Sequence, residues 1–241
     1  MESSYSTQSY YMENKTVLIT GASSGLGKAL AHEFHNQGWE VCGIARRDMP
    51  YFVNSIRTNI TSSATVLKGL EKILGPKKLD LCILNAGILG VVDRMEKLAQ
   101  ISLSEAIDVN CLANKPIIKH LMSYNNVNSV VAISSGAALK AYEGWGPYCI
   151  SKAALEMMMK VYALENPNTN FTCLSPGLVK SPMQDYIQTI DSKKLPGMKK
   201  FHDAYKDMDT PEVVAERIYE NLEEIISHSR IDLRDLKTTI Q

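Results

Sequence analysis

Short apolar runs that end in small residues recur along this chain, and they alternate with longer segments of helical character. We predict strands over Thr16–Thr20, Glu40–Ala45, Lys78–Leu84, Val127–Ile133 and Phe171–Leu174. We predict helices over Lys28–Gln37, Ala64–Leu74, Ser102–Ser123 and Tyr148–Glu165, and a further helix that begins near Pro211. Strands that alternate with helices indicate βαβ crossovers. The expected fold class is therefore α/β, with a doubly wound parallel sheet and helices on both faces.

The segment between the second strand and the second helix is short. Only 11 residues separate Arg47 from Asn59, which is little room for a helix followed by a strand. We therefore expect a loop with a brief edge strand around Ser55–Thr58. No repeat divides the rest of the chain, so we expect a single domain over residues 15–241, behind a polar and flexible tail of residues 1–14.

The composition argues against several classes of protein. The chain has 241 residues, and its 26 Lys and Arg residues balance 26 Asp and Glu residues, whereas a general nucleic-acid-binding protein is basic. No run of about 18 apolar residues and no signal-peptide pattern occur, so we expect no membrane partner. The five cysteines are widely spaced and form no CxxC pair. This spacing favours free thiols in a reducing cytoplasm and no metal site.

Small and polar residues follow the predicted strands at the points where the strands end. These turns contain Gly21, Asn85-Ala86-Gly87, Ser134-Ser135-Gly136 and Pro176-Gly177. In open α/β sheets, ligands bind beyond the carboxyl ends of the strands. We therefore expect the functional site at this edge of the sheet.

A glycine-rich turn joins the first strand to the first helix. Glycine lets a pyrophosphate approach the backbone N–H groups of a helix N-terminus, where the helix dipole favours an anion. The order Gly-x-x-x-Gly-x-Gly differs from the GxGxxG fingerprint, so a purely structural turn is the alternative from this motif alone. The residues expected to contact a cofactor here are Gly21, Ser23, Ser24, Gly25, Leu26 and Gly27.

Two arginines at the end of the second strand bear on the choice of cofactor. Proteins that bind NAD in this type of sheet usually place a carboxylate there for the ribose hydroxyls. Arg46 and Arg47 instead offer guanidinium groups, which bind a 2′-phosphate through charge-assisted hydrogen bonds. We predict NADP(H), with Arg46 as the first candidate and Arg47 as the second. Two solvated arginines are the alternative.

Tyr148 and Lys152 lie four residues apart at the start of a predicted helix, so their side chains share one face. A nearby ammonium lowers the pKa of a phenol, and such a tyrosine can exchange a proton with a carbonyl or an alcohol. Ser135, at the end of the fourth strand, is a candidate for polarising the same oxygen, although pattern alone does not separate it from Ser134. Asn110, inside a predicted helix, is a candidate for holding a water in a proton relay. A solvent-facing side chain is the alternative.

These motifs, taken together and in this order, resemble the short-chain dehydrogenase/reductase family over roughly residues 15 to 235. The matching pieces are Thr20–Gly27, Asn85-Ala86-Gly87, Asn110, Ser135, Tyr148 with Lys152, and Pro176-Gly177. The resemblance implies a Rossmann-type fold and a catalytic tetrad, in which Tyr148 is the acid/base and Ser135 orients the substrate. It also implies that Lys152 holds the cofactor ribose and lowers the Tyr148 pKa, and that Asn110 supports the relay.

The family pattern implies further cofactor contacts and an assembly. Ser181 stands where the family usually has Thr, and Asn59 where it often has Asp near the adenine, but a hydroxyl and an amide still form hydrogen bonds. Family members pair helices between subunits, so a homodimer or homotetramer is implied. Besides Tyr148 and Lys152, the implied cofactor contacts are Asn59, Ile60, Asn85, Ala86, Gly87, Pro176, Gly177, Val179, Ser181 and Met183.

Three segments resemble the sepiapterin reductase group and its benzil-reductase-like relatives within that family. They are Glu143–Lys152, Ala163–Asn168 and Arg230–Asp235. The resemblance implies reduction of ketones and vicinal dicarbonyls with NADPH. It also implies that Asp232 anchors a pterin, with a capping or surface carboxylate as the alternative.

The segment Pro182–Thr210 is implied to cover the substrate. Its apolar, methionine-containing sequence, which includes Met183 and Tyr186, suits a flat carbonyl compound. Trp145, just before Tyr148, adds aromatic surface. Ordinary helix packing is the alternative for all of these side chains.

The sequence thus predicts an NADPH-dependent carbonyl reductase with a small-molecule carbonyl substrate and a tyrosine as proton donor. Two alternatives stand beside it. One is a dehydrogenase that works mainly in the oxidative direction or with NAD, and the other is a cofactor-binding regulator on the same fold with little catalysis. All four tetrad positions are filled, which favours the enzyme.

Overall fold

A parallel seven-stranded sheet runs through residues 15–236, the part of the chain that this computed structural model describes. The tail predicted for residues 1–14 lies outside the described residues, as do residues 237–241. The strands are β1 (Thr16–Thr20), β2 (Glu40–Ala45), β3 (Asn54–Arg57), β4 (Leu81–Leu84), β5 (Ser129–Ile133), β6 (Asn170–Ser175) and β7 (Arg230–Asp232). They lie in the order β3-β2-β1-β4-β5-β6-β7, and every neighbouring pair is parallel.

Helices supply most of the connections between these strands. Parallel strands cannot be joined by a tight turn, so the chain must return along the sheet before the next strand begins. The helices are α1 (Gly25–Asn36), α2 (Ser63–Leu74), α3 (Gln100–Ile107), α4 (Asn114–His120), α5 (Gly146–Glu165), α6 (Pro182–Gln188), α7 (Lys199–Ala204), α8 (Pro211–Glu220) and α9 (Leu222–Ile226).

Alternate residues of each strand face opposite sides of the sheet, and helices cover both sides. Val17 and Ile19 belong to a core that includes α1, α8 and α9, whereas Leu18 between them belongs to a core that includes α2, α4 and α5. All three side chains are fully buried. This double burial explains why the strand sequences are continuously apolar. The predicted α/β fold, with a doubly wound parallel sheet and helices on both faces, is confirmed.

The helix predicted over Ser102–Ser123 is less regular than its sequence suggests. A π-helical turn at Asp108–Leu112 divides it into α3 and α4, and a second π-helical turn at Leu121–Asn125 follows α4. Asn126 then adopts a left-handed conformation, with φ of 42°, and the helical run ends there. The pattern of apolar residues does not reveal such turns. A π-helical turn adds one residue to a single turn of the helix, and the helix as a whole still has one apolar face.

The boundaries of β3, β4, β5 and β6 differ from the prediction by one to three residues, and one strand was not predicted. β4 begins at Leu81 rather than Lys78, and Leu81 pairs with Val17, the second residue of β1. The sequence does not predict β7, which has three residues, of which only Ile231 is buried. A strand of this length carries too few apolar residues to show a period of two.

The order of the strands determines where a crevice opens. The chain builds β2 and β3 on one side of β1, and then returns to add β4 on the other side. The connections on the two sides of β1 therefore run in opposite directions, and they leave a crevice beyond the carboxyl ends of β1 and β4.

Candidate active site

A cavity of about 580 Å³ opens at the carboxyl edge of the sheet. Most of its wall is formed by residues at or just after the carboxyl ends of β1 to β6. Three predicted residues, Gly27, Asn110 and Asp232, are not on this wall. The predicted residues that do line the cavity are Gly21, Ser23, Ser24, Gly25, Leu26, Arg46, Arg47, Asn59, Ile60, Asn85, Ala86, Gly87, Ser135, Trp145, Tyr148, Lys152, Pro176, Gly177, Val179, Ser181, Met183 and Tyr186.

The glycine-rich turn after β1 needs glycine for two different reasons. Gly21 and Gly25 have φ angles of +75° and +51°, a region that residues with a Cβ atom rarely adopt. At Gly27, a Cβ atom would lie 2.4 Å from both Asn85 Nδ2 and Gly21 O, so close packing excludes a side chain. The turn is thus pressed against the end of β4, and the N-terminus of α1 borders the cavity.

Hydrogen bonds join the ends of β1 and β4 beneath the cavity. Thr20 Oγ1 accepts from the backbone N–H groups of Asn85 and Ala86 at 3.0 Å each, and Asn85 Nδ2 donates to Thr20 O at 2.9 Å. Thr20 is fully buried. Backbone donors at the start of a 12-residue helix, bordered by glycines without side chains, fit the pyrophosphate of a dinucleotide.

The two arginines that follow β2 are held differently. Arg47 Nη2 donates to Ser24 Oγ at 2.7 Å, which places its guanidinium beside the glycine-rich turn. Arg46 lines the same cavity and is exposed, and its side chain makes no hydrogen bond within residues 15–236. A hydrogen bond within the protein therefore holds the Arg47 side chain but not that of Arg46. Both arginines line the cavity that the glycine-rich turn also borders.

Tyr148 lies in the first turn of α5 and is buried on the cavity wall. Burial raises the pKa of its hydroxyl to about 12, and the neighbouring Ser135 hydroxyl opposes this shift. The sequence predicts that Lys152 lowers this pKa, but its ammonium lies 5.7 Å from the centroid of the Tyr148 ring. The shift is opposite to the expectation, because the lost hydration of a phenolate outweighs a cation at that distance.

Lys152 is buried one helical turn after Tyr148. Its ammonium donates to the backbone oxygen of Ile133, at the end of β5, at 2.7 Å. Burial lowers the Lys152 pKa to about 8. A Cβ atom on Gly87 would lie 3.7 Å from the Lys152 ammonium, so the lysine also lies beside the loop that follows β4.

The structure separates the two adjacent serines at the end of β5. Both residues reach the cavity wall, but Ser134 is buried and its hydroxyl donates to Glu156 Oε1 of α5 at 2.6 Å. The Ser135 hydroxyl accepts from the N–H of Ala137 at 3.1 Å, and it lies close enough to Tyr148 to affect the pKa of the phenol. Ser135 is therefore the serine whose hydroxyl stands beside the tyrosine.

Asn110 lies in the first π-helical turn and is fully buried. Its Nδ2 donates to Ile88 O and to Ser151 Oγ, both at 2.8 Å, and its Oδ1 accepts from Ile88 N at 2.7 Å. Both amide hydrogens are engaged, so the side chain clamps the loop after β4 instead of facing solvent. Any relay water at Asn110 would have to donate to an oxygen of this residue.

Aromatic and sulfur-containing side chains form the outer part of the wall. Trp145 stacks on Phe201 of α7 with ring centroids 4.4 Å apart, and its Nε1 donates to Met198 Sδ at 3.3 Å. Met183 and Tyr186, both on α6, line the cavity. The segment after β6 therefore packs over Trp145 and borders the cavity.

Asp232 is the predicted substrate residue that the structure does not bring to the cavity. Its carboxylate accepts from Arg234 Nε and Nη2 at 2.7 Å each, and from the Arg234 backbone N–H at 3.1 Å. The bond with the Arg234 side chain holds the Asp232 pKa below its usual range. This geometry matches the capping alternative and gives no support to a pterin anchor, because the carboxylate is already satisfied by Arg234.

Gln184, which the sequence analysis did not single out, also lines the cavity. It is 7% exposed, and its Oε1 atom has no hydrogen-bond partner in the described part of the chain. A buried polar atom without a partner costs about 1–3 kcal/mol, so this amide fits a ligand that donates a hydrogen bond. Its sequence position gave little signal, because Gln184 and Asp185 are both polar residues between the apolar Met183 and Ile187 of α6.

No group of three His, Cys, Asp or Glu side chains within residues 15–236 lies close enough together to hold a metal ion. The five cysteines are free thiols, and Cys149 is the one that is partly exposed. No helix of this region has the length and apolar character that crossing a membrane requires.

The fold and the cavity define a Rossmann-type protein, in which a glycine-rich turn at the start of α1 lies beside a buried tyrosine, a buried lysine and a half-buried serine. The sequence profile described as short chain dehydrogenase matches residues 15–191. This chain belongs to the short-chain dehydrogenase family, whose members are oxidoreductases that use a nicotinamide cofactor. The family resemblance found in the sequence motifs is confirmed.

Several relatives of this chain match it over most of their length. An uncharacterized oxidoreductase of Schizosaccharomyces pombe is 29% identical over 211 residues, which cover 81% of this chain and 83% of that protein. The benzil reductase ((S)-benzoin forming) of Bacillus subtilis is 26% identical over 232 residues, or 89% of this chain and 96% of that protein. The 3-oxoacyl-[acyl-carrier-protein] reductase FabG of Rickettsia prowazekii is 31% identical over 188 residues, which cover 73% of this chain and 77% of that protein.

Solved structures share the fold at lower sequence identity. A short-chain dehydrogenase/reductase of Saccharomyces cerevisiae gives a TM-score of 0.82 at 22% identity, over 92% of this chain and 97% of that chain. The aldohexose dehydrogenase of Thermoplasma acidophilum gives a TM-score of 0.76 at 22% identity, over 95% of this chain and 96% of that chain.

We expect the stability difference between the wild-type protein and the Lys152→Met variant to change with pH. Burial lowers the Lys152 pKa from 10.5 to about 8, so between these values the unfolded chain holds a proton that the native state has released. The native state therefore gains stability as pH rises through this window. At 1.36 kcal/mol per pKa unit, the wild-type protein should gain about 2 kcal/mol relative to the variant between about pH 7 and pH 9.5.

Urea unfolding at these two pH values measures this difference. Tyr148 and the cysteines titrate in both proteins, so their contributions cancel in the comparison. A stability difference that stays constant with pH would show that the buried ammonium is not the titrating group.

Proposed function

We propose that this protein is an NADPH-dependent carbonyl reductase that acts on ketones or vicinal dicarbonyls. The observation that carries the proposal is the buried phenol of Tyr148, which lies with Ser135 and Lys152 on the wall of the cavity that also contains the glycine-rich turn. A phenol with a pKa of about 12 holds its proton at neutral pH and can donate it, which suits reduction. The names of two relatives, a benzil reductase and a 3-oxoacyl reductase, support a carbonyl substrate.

In this proposal the residues of the chain act on the carbonyl oxygen. The bound cofactor supplies a hydride to the carbonyl carbon. The Ser135 hydroxyl accepts from Ala137 N–H, so its own hydrogen can be donated to the carbonyl oxygen and orient it. Tyr148 donates its proton to the same oxygen as negative charge develops there. The Lys152 ammonium then stabilises the phenolate that results.

The other predicted contacts hold the cofactor along the edge of the sheet. Gly21, Ser24 and Gly25 would hold the pyrophosphate at the N-terminus of α1, where the geometry fits an anion. Lys152 would bind the cofactor ribose. Gln184 offers a buried acceptor to an N–H or O–H group of the cofactor or substrate.

We propose NADPH rather than NADH because the cavity carries two cations and no carboxylate where β2 ends. Arg47 is held beside the glycine-rich turn by Ser24, and Arg46 lines the same region. Replacing either arginine by alanine removes a charge-assisted bond to the 2′-phosphate, worth about 1.5–3 kcal/mol. We expect NADPH affinity to fall about 10- to 100-fold and NADH affinity to change little.

Fluorescence titration of each variant with both cofactors tests this preference. Lys68→Ala, which removes one positive charge from an exposed position on α2, is the matched control. Equal losses of NADPH and NADH affinity in the arginine variants would contradict the assignment, since only NADPH carries the 2′-phosphate.

Replacing Tyr148 by phenylalanine should remove turnover without removing the cofactor site. General acid catalysis contributes about 10²–10⁴-fold, so kcat should fall by at least about 100-fold, while the dissociation constant of NADPH changes little. Tyr162→Phe, on the same helix and stacked on Phe171, should keep wild-type activity. NADPH oxidation with a panel of diketones and ketones gives the measurement, and a Tyr148→Phe variant that turns over normally would refute the mechanism.

We also propose that the chain forms a homodimer or homotetramer through the outer face of α5. Ile150, Met157, Val161 and Leu164 recur on one side of this helix and are between 41% and 86% exposed. Ile101 of α3 adds a further exposed apolar side chain. An apolar face of this kind is typical of a surface that another subunit covers.

A charge placed on that face should separate the subunits. We expect Leu164→Glu to shift the sedimentation coefficient from that of the assembly to that of a monomer, because a carboxylate at the contact loses its hydration. Val213→Glu, on the exposed side of α8, is the control. A wild-type protein that sediments as a monomer, or a Leu164→Glu variant that stays assembled, would rule out this face.

A further inference from the structure

Glu156 carries a carboxylate into the interior of the protein, outside the cavity. It lies on α5 one turn after Lys152, and its side chain is 4% exposed. Its Oε1 atom accepts from Ser134 Oγ at 2.6 Å, and its two oxygens lie 3.1 and 3.2 Å from Arg230 Nε. One carboxylate therefore connects α5, the end of β5 and the edge strand β7.

Ser134, the residue that Glu156 holds, stands between two residues of the site. Ile133 on one side accepts from the Lys152 ammonium at 2.7 Å, and Ser135 on the other side lines the cavity. The backbone at Ser135 is extended, with φ of −162° and ψ of 157°, and in extended backbone neighbouring side chains point to opposite sides. A Ser134 hydroxyl held toward Glu156 thus leaves the Ser135 hydroxyl on the cavity side, beside Tyr148.

We propose that Glu156 is a positioning residue for the reduction. Through Ser134, it orients the Ser135 hydroxyl and the backbone carbonyl of Ile133, which accepts a hydrogen bond from the Lys152 ammonium. This inference rests on the proposed reductase function. Glu156 touches neither the substrate nor the cofactor in this arrangement. Glu156 fixes the orientation of residues 133–135, which carry the Ile133 carbonyl and the Ser135 hydroxyl.

The energetics favour this role over simple stabilisation of the fold. A buried carboxylate and guanidinium lose hydration that their attraction only partly restores, and apolar residues of similar size often give equal or greater stability. The side chain of Arg230 is 24% exposed, against 4% for Glu156, so most of the desolvation falls on the carboxylate. What a carboxylate adds is direction, because it accepts short hydrogen bonds from two donors at once.

The test compares variants that remove the contact between Glu156 and Ser134 in different ways. Ser134→Ala removes the hydroxyl and leaves the pair of Glu156 and Arg230 in place, whereas Glu156→Leu removes both contacts. We expect kcat to fall about 10-fold or more in each, since small misplacements near reacting groups reduce rates strongly. KM for the ketone and the dissociation constant of NADPH should change less than about threefold, because the loss concerns the transition state.

A conservative variant and a surface variant complete the set. Glu156→Gln keeps an oxygen that can accept from Ser134, so it should retain more activity per folded molecule than Glu156→Leu. Glu165→Gln changes an exposed carboxylate on the same helix and should behave as wild type. Circular dichroism and thermal unfolding establish that each variant is folded. If Glu156→Leu does not fold, Ser134→Ala carries the comparison.

The outcomes separate this inference from the proposed function. Wild-type kcat in folded Ser134→Ala would overturn the positioning role, as would equal losses in Glu156→Gln and Glu156→Leu. A wild-type protein without NADPH-dependent ketone reduction would instead refute the proposed function. In that case a crystal structure of Ser134→Ala tests the inference by itself, and an unchanged Ser135 side chain would overturn it.

Discussion

Burial of both faces of a parallel sheet is the constraint from which the rest of this structure follows. Adjacent residues such as Leu18 and Ile19 lie in different cores, so helices must cover each side, and the strands in the middle of the sheet must be mainly apolar on both faces. Polar side chains are then excluded from the middle of the sheet. They gather where the parallel strands end, and the crevice between the opposite connections of β1 and β4 becomes the cavity.

The same burial sets the chemistry of the cavity. Loss of water disfavours the charged form of both Tyr148 and Lys152, so it raises the pKa of the phenol and lowers that of the ammonium. The phenol is kept in the form that donates a proton. The lysine depends for its position on one bond, to the Ile133 carbonyl, and that carbonyl belongs to the segment held by Ser134 and Glu156.

Hydrogen bonds behind the wall support the groups on it. Asn110 clamps the loop at Ile88, and Thr20 ties the ends of β1 and β4 together. None of these contacts needs a ligand to form. The outer wall is built differently, from Trp145 and the helices after β6.

The sequence by itself determined the class of fold, the edge of the sheet at which the site lies and the family. Apolar runs, helical periods and small-residue turns are local properties, and their order along the chain specifies the βαβ connections. Most of the predicted cofactor and catalytic residues accordingly reach one cavity. The short strand β7 and the π-helical turn that carries Asn110 were beyond such reasoning, because neither produces a periodic pattern.

Only the tertiary structure decided the relations between groups that are distant in sequence or adjacent on one strand. It turned Ser134 toward Glu156 and left Ser135 beside Tyr148, and it closed Asp232 onto Arg234 away from the cavity. It also reversed the expected direction of the Tyr148 pKa. Each of these outcomes depends on which atoms come within hydrogen-bond distance and on how much water they lose, and spacing along the chain carries neither quantity.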